Sequence, residues 1–331
     1  MNRVKVFSMI LACLLLSCGN KGAGDQLTGT VSEADAAPGF DADSAYVYVE
    51  TQVGFGPRVP NTEAHRLCGD YLVSELKRFG AVTFVQDMVL TAYNGERLSC
   101  RNIVGSYCSE NKKRVLLFAH WDTRPFADQE TDPVKQRTPI DGADDGASGV
   151  GVLLEIARQL GLRNPEVGVD IIFFDAEDYG VPEFEKATHY VPDSWCLGSQ
   201  FWAKNPHQPG YRAEYGILLD MVGAHHASFY KEYTSMRYSA RTVERVWNTA
   251  RDLGYGKFFI NAEGGSVLDD HHSVIERGIP SIDIINYDPE RDLGFAAYWH
   301  THNDTMKNID RETLKGVGQT VLEVIYKEKA L

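Results

Sequence analysis

Val169-Asp170-Ile171-Ile172-Phe173-Phe174-Asp175-Ala176-Glu177-Asp178 is the stretch on which the fold turns. Val169 to Phe174 are nearly all apolar or β-branched, the signature of a strand covered on both faces, as in a parallel sheet. The run then stops in three acids within four residues. Ligands of open α/β sheets bind beyond the carboxyl ends of the strands, so this strand delivers carboxylates where a ligand would sit. Crowded carboxylates beside an apolar strand are costly unless a cation or proton compensates. Taken alone, the stretch fits a solvated acidic loop or a metal and general-base site.

Flanking segments repeat the theme. Arg114 to Ala119 reads as a buried strand and runs into His120-Trp121-Asp122, where Asp122 at i+2 is placed to orient the imidazole. Tyr215 to Leu219 reads as another strand and ends at Asp220. Val82–Leu90, Arg101–Gly105 and Ile279–Ile285 are further expected strands. Thr62–Phe79 predicts an amphipathic helix capped by Asn61 or Thr62, with Leu67, Tyr71, Leu72, Leu76 and Phe79 on its apolar face and Gly80 as its stop. Val150–Leu160, Leu197–Lys204, Ser239–Leu253 and Arg311–Lys327 are expected helices, and Tyr179–Trp195 an irregular loop placed to cover a site. Strands alternating with helices predict one α/β domain, a mostly parallel twisted sheet flanked by helices. His120, Glu177, Asp178 and Asp220 then gather along one sheet edge, joined by loops carrying Asp145, Asp270 and His300.

The chain of 331 residues is 43% hydrophobic and 24% charged, ordinary for a globular protein. Its net charge of −13 argues against a sequence-independent nucleic-acid binder, which needs a basic face. Ser148 lies outside any Gly-x-Ser-x-Gly pattern, which argues against a serine hydrolase. Arg3 and Lys5 precede the short apolar run Val6–Leu16, a targeting segment rather than part of the fold. Its end, Leu15-Leu16-Ser17-Cys18, resembles a bacterial lipobox, which predicts a signal segment over 1–17 and a lipid anchor at Cys18. Residues 18–40 read as a flexible tether and 41–331 as the catalytic domain, exported and held at a bacterial membrane. Cys68, Cys100, Cys108 and Cys196 remain in the domain, and the sequence favours no pairing among them.

Taken together, Ala119-His120-Trp121-Asp122, Gly142 to Gly149, Phe174 to Asp178, Leu219 to Gly223, Asp269-Asp270-His271 and Trp299-His300-Thr301 resemble, in order, the motifs of the M28 zinc-dependent peptidase family. That family includes bacterial leucyl aminopeptidases and, as a branch, the animal-type glutaminyl cyclases. The resemblance implies one zinc ion held by Asp145, Asp178 and His300, with Glu177 as general base and Asp220 and Asp270 assisting by hydrogen bonding. In the aminopeptidase branch it implies a second zinc ion, held by His120 and Asp220. Many relatives have Glu where this chain has the shorter Asp178.

Trp299 before His300, the segment Asp193–Ser199 and the run Ala119–Pro125 resemble the cyclases, which implies that Trp299 and Trp195 line a small glutamine pocket. The expected reaction is cyclisation of an N-terminal glutamine of a peptide or protein to pyroglutamate with release of ammonia. The alternative is hydrolysis of N-terminal residues. His302 and the pairs His225-His226 and His271-His272 read as loop residues rather than ligands.

Overall fold

The computed structural model describes residues 36–188 and 191–330. The expected signal segment, Cys18 and the tether as far as residue 35 lie outside the described residues. Among the described residues, eight strands and seven α-helices follow one another. They are α1 (Ala42–Gly54), α2 (Glu63–Arg78), β1 (Val82–Thr91), β2 (Arg97–Tyr107), β3 (Arg114–His120), α3 (Ala147–Leu162), β4 (Gly168–Phe174), α4 (Leu197–Lys204), β5 (Tyr215–Asp220), β6 (Phe229–Lys231), α5 (Tyr233–Asp252), β7 (Phe259–Glu263), α6 (Asp270–Glu276), β8 (Ser281–Ile285) and α7 (Arg311–Tyr326).

The main sheet has the order β1-β2-β4-β3-β5-β8. β4, β3, β5 and β8 run parallel, and β2 joins β4 antiparallel with β1 hairpinned outside it. The quoted strand β4 is thus central, and every one of its residues is buried. The pleat sends alternate side chains to opposite faces. Val115, Leu117, Val169, Ile171 and Ile217 pack in one cluster with residues of α1, α3, α5 and α7. Leu116, Phe118, Ile172, Phe174 and Leu218 pack on the other face with Trp202 of α4 and Val274 of α6. Asp170 is the exception within β4, and its charge is fully met. Arg114 donates twice to it, at 2.6 and 2.7 Å, and the hydroxyls of Tyr211 and Ser106 donate at 2.7 and 2.6 Å.

Several expectations need adjusting. Leu67 is 39% exposed, and Cys68 takes the buried position beside it. The helix over 42–54 was not anticipated, because the composition just before it is tether-like; Asp41 caps it and Val49 is buried. α5 begins at Tyr233, and its one non-helical residue, Ser239, is where the periodicity predicts its start. The short pair β6–β7 lies outside the main sheet and carried no sequence signal. All four described cysteines are free, which closes the pairing question for the domain. Among the described residues, no helix is long and apolar enough to cross a membrane.

Candidate active site

Three parallel strands end in the site, β3 at His120, β4 just before Asp175 and β5 at Asp220. Close packing brings the Asp145 loop onto the same edge. A Cβ on Gly149 of α3 would lie 2.2 Å from the Leu219 carbonyl, so only glycine lets this helix approach β5. Asp304 steers the loop, accepting the Asp144 and Asp145 amides at 2.9 and 3.0 Å. Asp122 does the same for the β4 turn, accepting the amides of Glu177 and Asp178 at 3.1 and 3.2 Å. The sequence suggests that Asp122 orients His120; it lies 3.5 Å from Nδ1, too far for a good hydrogen bond, and its oxygens serve the two amides instead.

The backbone is strained at these points. Ala176, Met221 and His300 have φ of +51°, +48° and +53°, a region that costs a non-glycine residue about 1–3 kcal/mol. Each is a site residue or adjoins one. Left-handed turns thus lie at or beside Glu177, Asp220 and His300, all three of which line the cavity.

Asp145, Asp178 and His300 converge so that one ligand atom from each lies within 4.8 Å of the others. His300 Nε2 is 3.4 Å from Asp178 Oδ1 and 3.5 Å from Asp145 Oδ2, so the short arm of Asp178 reaches. His120, Asp145 and Asp220 form a second convergent group, with His120 Nε2 at 3.2 Å from each carboxylate. Asp145 belongs to both. All five side chains are buried.

Behind His300 stands a support that the sequence did not reveal. Its Nδ1 is 3.0 Å from Asp128 Oδ1, and Arg124 donates to Asp128 Oδ2 at 2.6 Å. Arg124 is wholly buried and also donates to the carbonyls of Asp178 and Gly180, at 2.8 and 3.0 Å. Its guanidinium lies 4.4 Å from the Trp195 ring centre. A carboxylate behind an imidazole fixes the ring so that its other nitrogen faces a ligand. Asp128 lies in an irregular loop with no periodicity or motif to mark it.

Electrostatics point the same way. Burial and the neighbouring Asp145 charge push the Asp178 carboxyl up to about 6. Burial opposes protonation of His300, but the Asp178 and Asp128 carboxylates push it up to about 9. Burial raises Glu177 well above the carboxylate range; His120 opposes this, and Asp269, Asp178 and Asp270 add to it. Both oxygens of Asp178 and Oδ2 of Asp145 are buried without a hydrogen-bond partner. Buried acids that converge without partners fit a divalent cation, which would supply the missing charge and ligation.

Glu177 stands beside this group rather than in it, clustered with Cys196 and Asp269. Asp269 lines the cavity. Asp270 is wholly buried in the first turn of α6, where burial pushes it up to about 7. The cavity has a volume of about 340 Å³ and is also lined by Asp145, Glu177, Asp178, Asp220 and His300. Trp299 stacks on His300 with ring centres 3.7 Å apart, and Trp195 lies nearly parallel to the same imidazole at 6.2 Å. Both tryptophans line the cavity, as do Leu268, Leu293 and Phe295 among its apolar residues. A larger cleft, about 970 Å³, lies against α2 and the β1–β2 hairpin and contains none of these groups. His302 is turned away, 3.0 Å from Glu130.

The model of peptidase family M28 matches residues 102–325, most of the chain and the whole of this constellation. The chain belongs to peptidase family M28. A crystal structure of a Zn-dependent exopeptidase from Parabacteroides distasonis is 68% identical, covering 88% of this chain and 100% of that one at a TM-score of 0.87. The glutaminyl cyclase of Tannerella forsythia is 66% identical over the same shares, with a TM-score of 0.86. The glutaminyl-peptide cyclotransferase of Bos taurus is 27% identical over 260 residues, which are 70% of this chain and 66% of that protein. This M28 chain thus spans a little under two thirds of the length of that curated relative.

Proposed function

We propose that this M28 chain is a zinc-dependent glutaminyl-peptide cyclotransferase acting on peptide or protein N-termini. The observation that carries the reading is the small cavity in which Trp299 and Trp195 flank His300 beside a buried Glu177 that stands outside both ligand groups. It is sized for one side chain rather than an extended peptide. The high identity to the Tannerella forsythia glutaminyl cyclase supports it further. Asp145, Asp178 and His300 would hold one zinc ion. Bound there, zinc supplies Lewis acidity toward the γ-carboxamide oxygen of the substrate glutamine.

The chain's own residues do the rest. The tryptophans hold the side chain folded so that the α-amine faces the γ-carbonyl carbon, and this alignment provides much of the rate. The amine nitrogen forms the new C–N bond, and Glu177 takes its surplus proton. Glu177 then delivers that proton to the departing nitrogen, which leaves as ammonia. Burial among acids suits this role, because it raises the carboxyl toward working pH. Asp220 and Asp269 line the cavity beside Glu177, while the wholly buried Asp270, expected to assist by hydrogen bonding, makes no hydrogen bond to Glu177 and acts on it through charge, helping to raise its carboxyl.

The second convergent group, His120, Asp145 and Asp220, favours an alternative reading, because it could hold a second ion as in an aminopeptidase. Glu177 would then take a proton from an attacking water. Incubation with a Gln-initiated peptide and with Leu-p-nitroanilide separates the readings. We expect ammonia release and a pyroglutamyl product from the first, and little hydrolysis of the second. Cleavage of Leu-p-nitroanilide without cyclisation would establish the aminopeptidase.

We also propose that the chain is exported and anchored to a bacterial membrane through a lipid on Cys18, on the strength of the lipobox-like Leu15-Leu16-Ser17-Cys18. Cells fed a labelled fatty acid should yield labelled protein in the membrane fraction. Cys18→Ser should lose the label and the anchoring; an unlabelled wild-type chain rules the anchor out.

A further inference from the structure

We propose that Cys196 is a positioning residue for Glu177, its thiol donating to the carboxylate and holding it toward the cavity. The inference rests on the reading of Glu177 as the group that moves the proton. Cys196 Sγ lies 3.2 Å from Glu177 Oε1, close for a bond to sulfur. Among the described residues, no other side chain donates a hydrogen bond to that carboxylate. Cys196 is 3% exposed, so water does not compete for the contact.

The contact is built in by the backbone. The Cys196 amide donates to the Glu177 carbonyl at 2.8 Å, and the Leu197 amide to the Ala176 carbonyl at 3.0 Å. The chain just before α4 is therefore stitched to the acidic turn after β4. Cys196 takes a left-handed φ of +56° to make this junction, and Ala176 across from it takes +51°. Two strained residues facing each other to set one side-chain contact is a geometry that packing alone does not require. A thiol suits the task. It is a weak donor, so it orients the carboxylate without competing strongly with the substrate amine for the oxygen lone pairs. In the sequence Cys196 is one of four domain cysteines with no favoured pairing, inside the cyclase-like segment Asp193–Ser199.

The test measures kcat, KM and zinc content for Cys196→Ala and Cys196→Ser, each in the wild-type and Glu177→Gln backgrounds. Losing one orienting hydrogen bond should lower kcat by about tenfold in Cys196→Ala, with KM changed less than about twofold and zinc retained. Cys196→Ser, which keeps a donor, should recover kcat to within about threefold of wild type. In the Glu177→Gln background, Cys196→Ala should cost nothing more, because the two residues act as one unit. The proposal falls if Cys196→Ala keeps wild-type kcat. It also falls if serine fails to rescue, or if alanine costs the same factor with Glu177 already replaced. Full activity of Glu177→Gln by itself would instead overturn the assignment of the proton carrier, so the two failures are distinguishable.

Discussion

Glu177→Gln should keep its zinc and its melting temperature yet lose about 10²–10⁴-fold in kcat, the range expected when a positioned acid–base group is removed. Glutamine matches the shape of glutamate and can still accept from Cys196, so the cavity keeps its form. It cannot take up a proton at working pH. KM should change little, because Glu177 stands beside the zinc ligands rather than among them. Steady-state kinetics on a Gln-initiated peptide, with metal analysis of the same samples, provides the check. Turnover near the wild-type level would remove Glu177 from the mechanism. A loss of zinc would make it a ligand instead.

Chelation should abolish turnover and soften the fold, and the softening should be greater at pH 8 than at pH 5. The sign follows from the buried acids. Burial raises Asp178 to about 6 and Asp270 to about 7, from an ordinary value of 3.8. Between the ordinary and raised values the metal-free native chain binds more protons than the unfolded one, so its stability falls as pH rises through that window. Zinc holds its carboxylate ligands ionised and offsets their repulsion, and its contribution grows over the same window. At a thousandfold excess over Kd, a ligand adds about 4 kcal/mol. For a domain of this size that corresponds to roughly 10 °C in Tm. Thermal melts at both pH values, with and without chelator, test this. An unchanged Tm, or a larger drop at pH 5, would show that the acid cluster needs no cation.

The sequence made much of the site legible because its residues sit at places that physics marks. His120, Glu177, Asp178 and Asp220 each end or follow a buried apolar strand, and a charged group there is conspicuous. Parallel connectivity sends those ends to one edge, so their gathering could be foreseen without coordinates. Asp145 and His300 come from loops, where spacing means little, and they were placed by resemblance to a family pattern. Asp128 and Asp304 left no such mark, and Arg124 and Cys196 fell inside resembling stretches without a role to set them apart. They lie in irregular segments, and each matters through a tertiary contact, such as Asp128 with His300 at 172 positions. The first helix was missed because it follows directly on a tether-like segment and is rich in Val and Tyr, which favour strands over helices.

Strand and helix periodicity, set by local backbone geometry, was enough to give an α/β domain with acids and imidazoles on one sheet edge. Which acid faces the cavity, which imidazole nitrogen is left free, and which thiol touches the base depend on left-handed turns at Ala176, Cys196, Met221 and His300. Those turns go against local preference and persist only because distant segments hold them, which is why the tertiary structure alone could decide them.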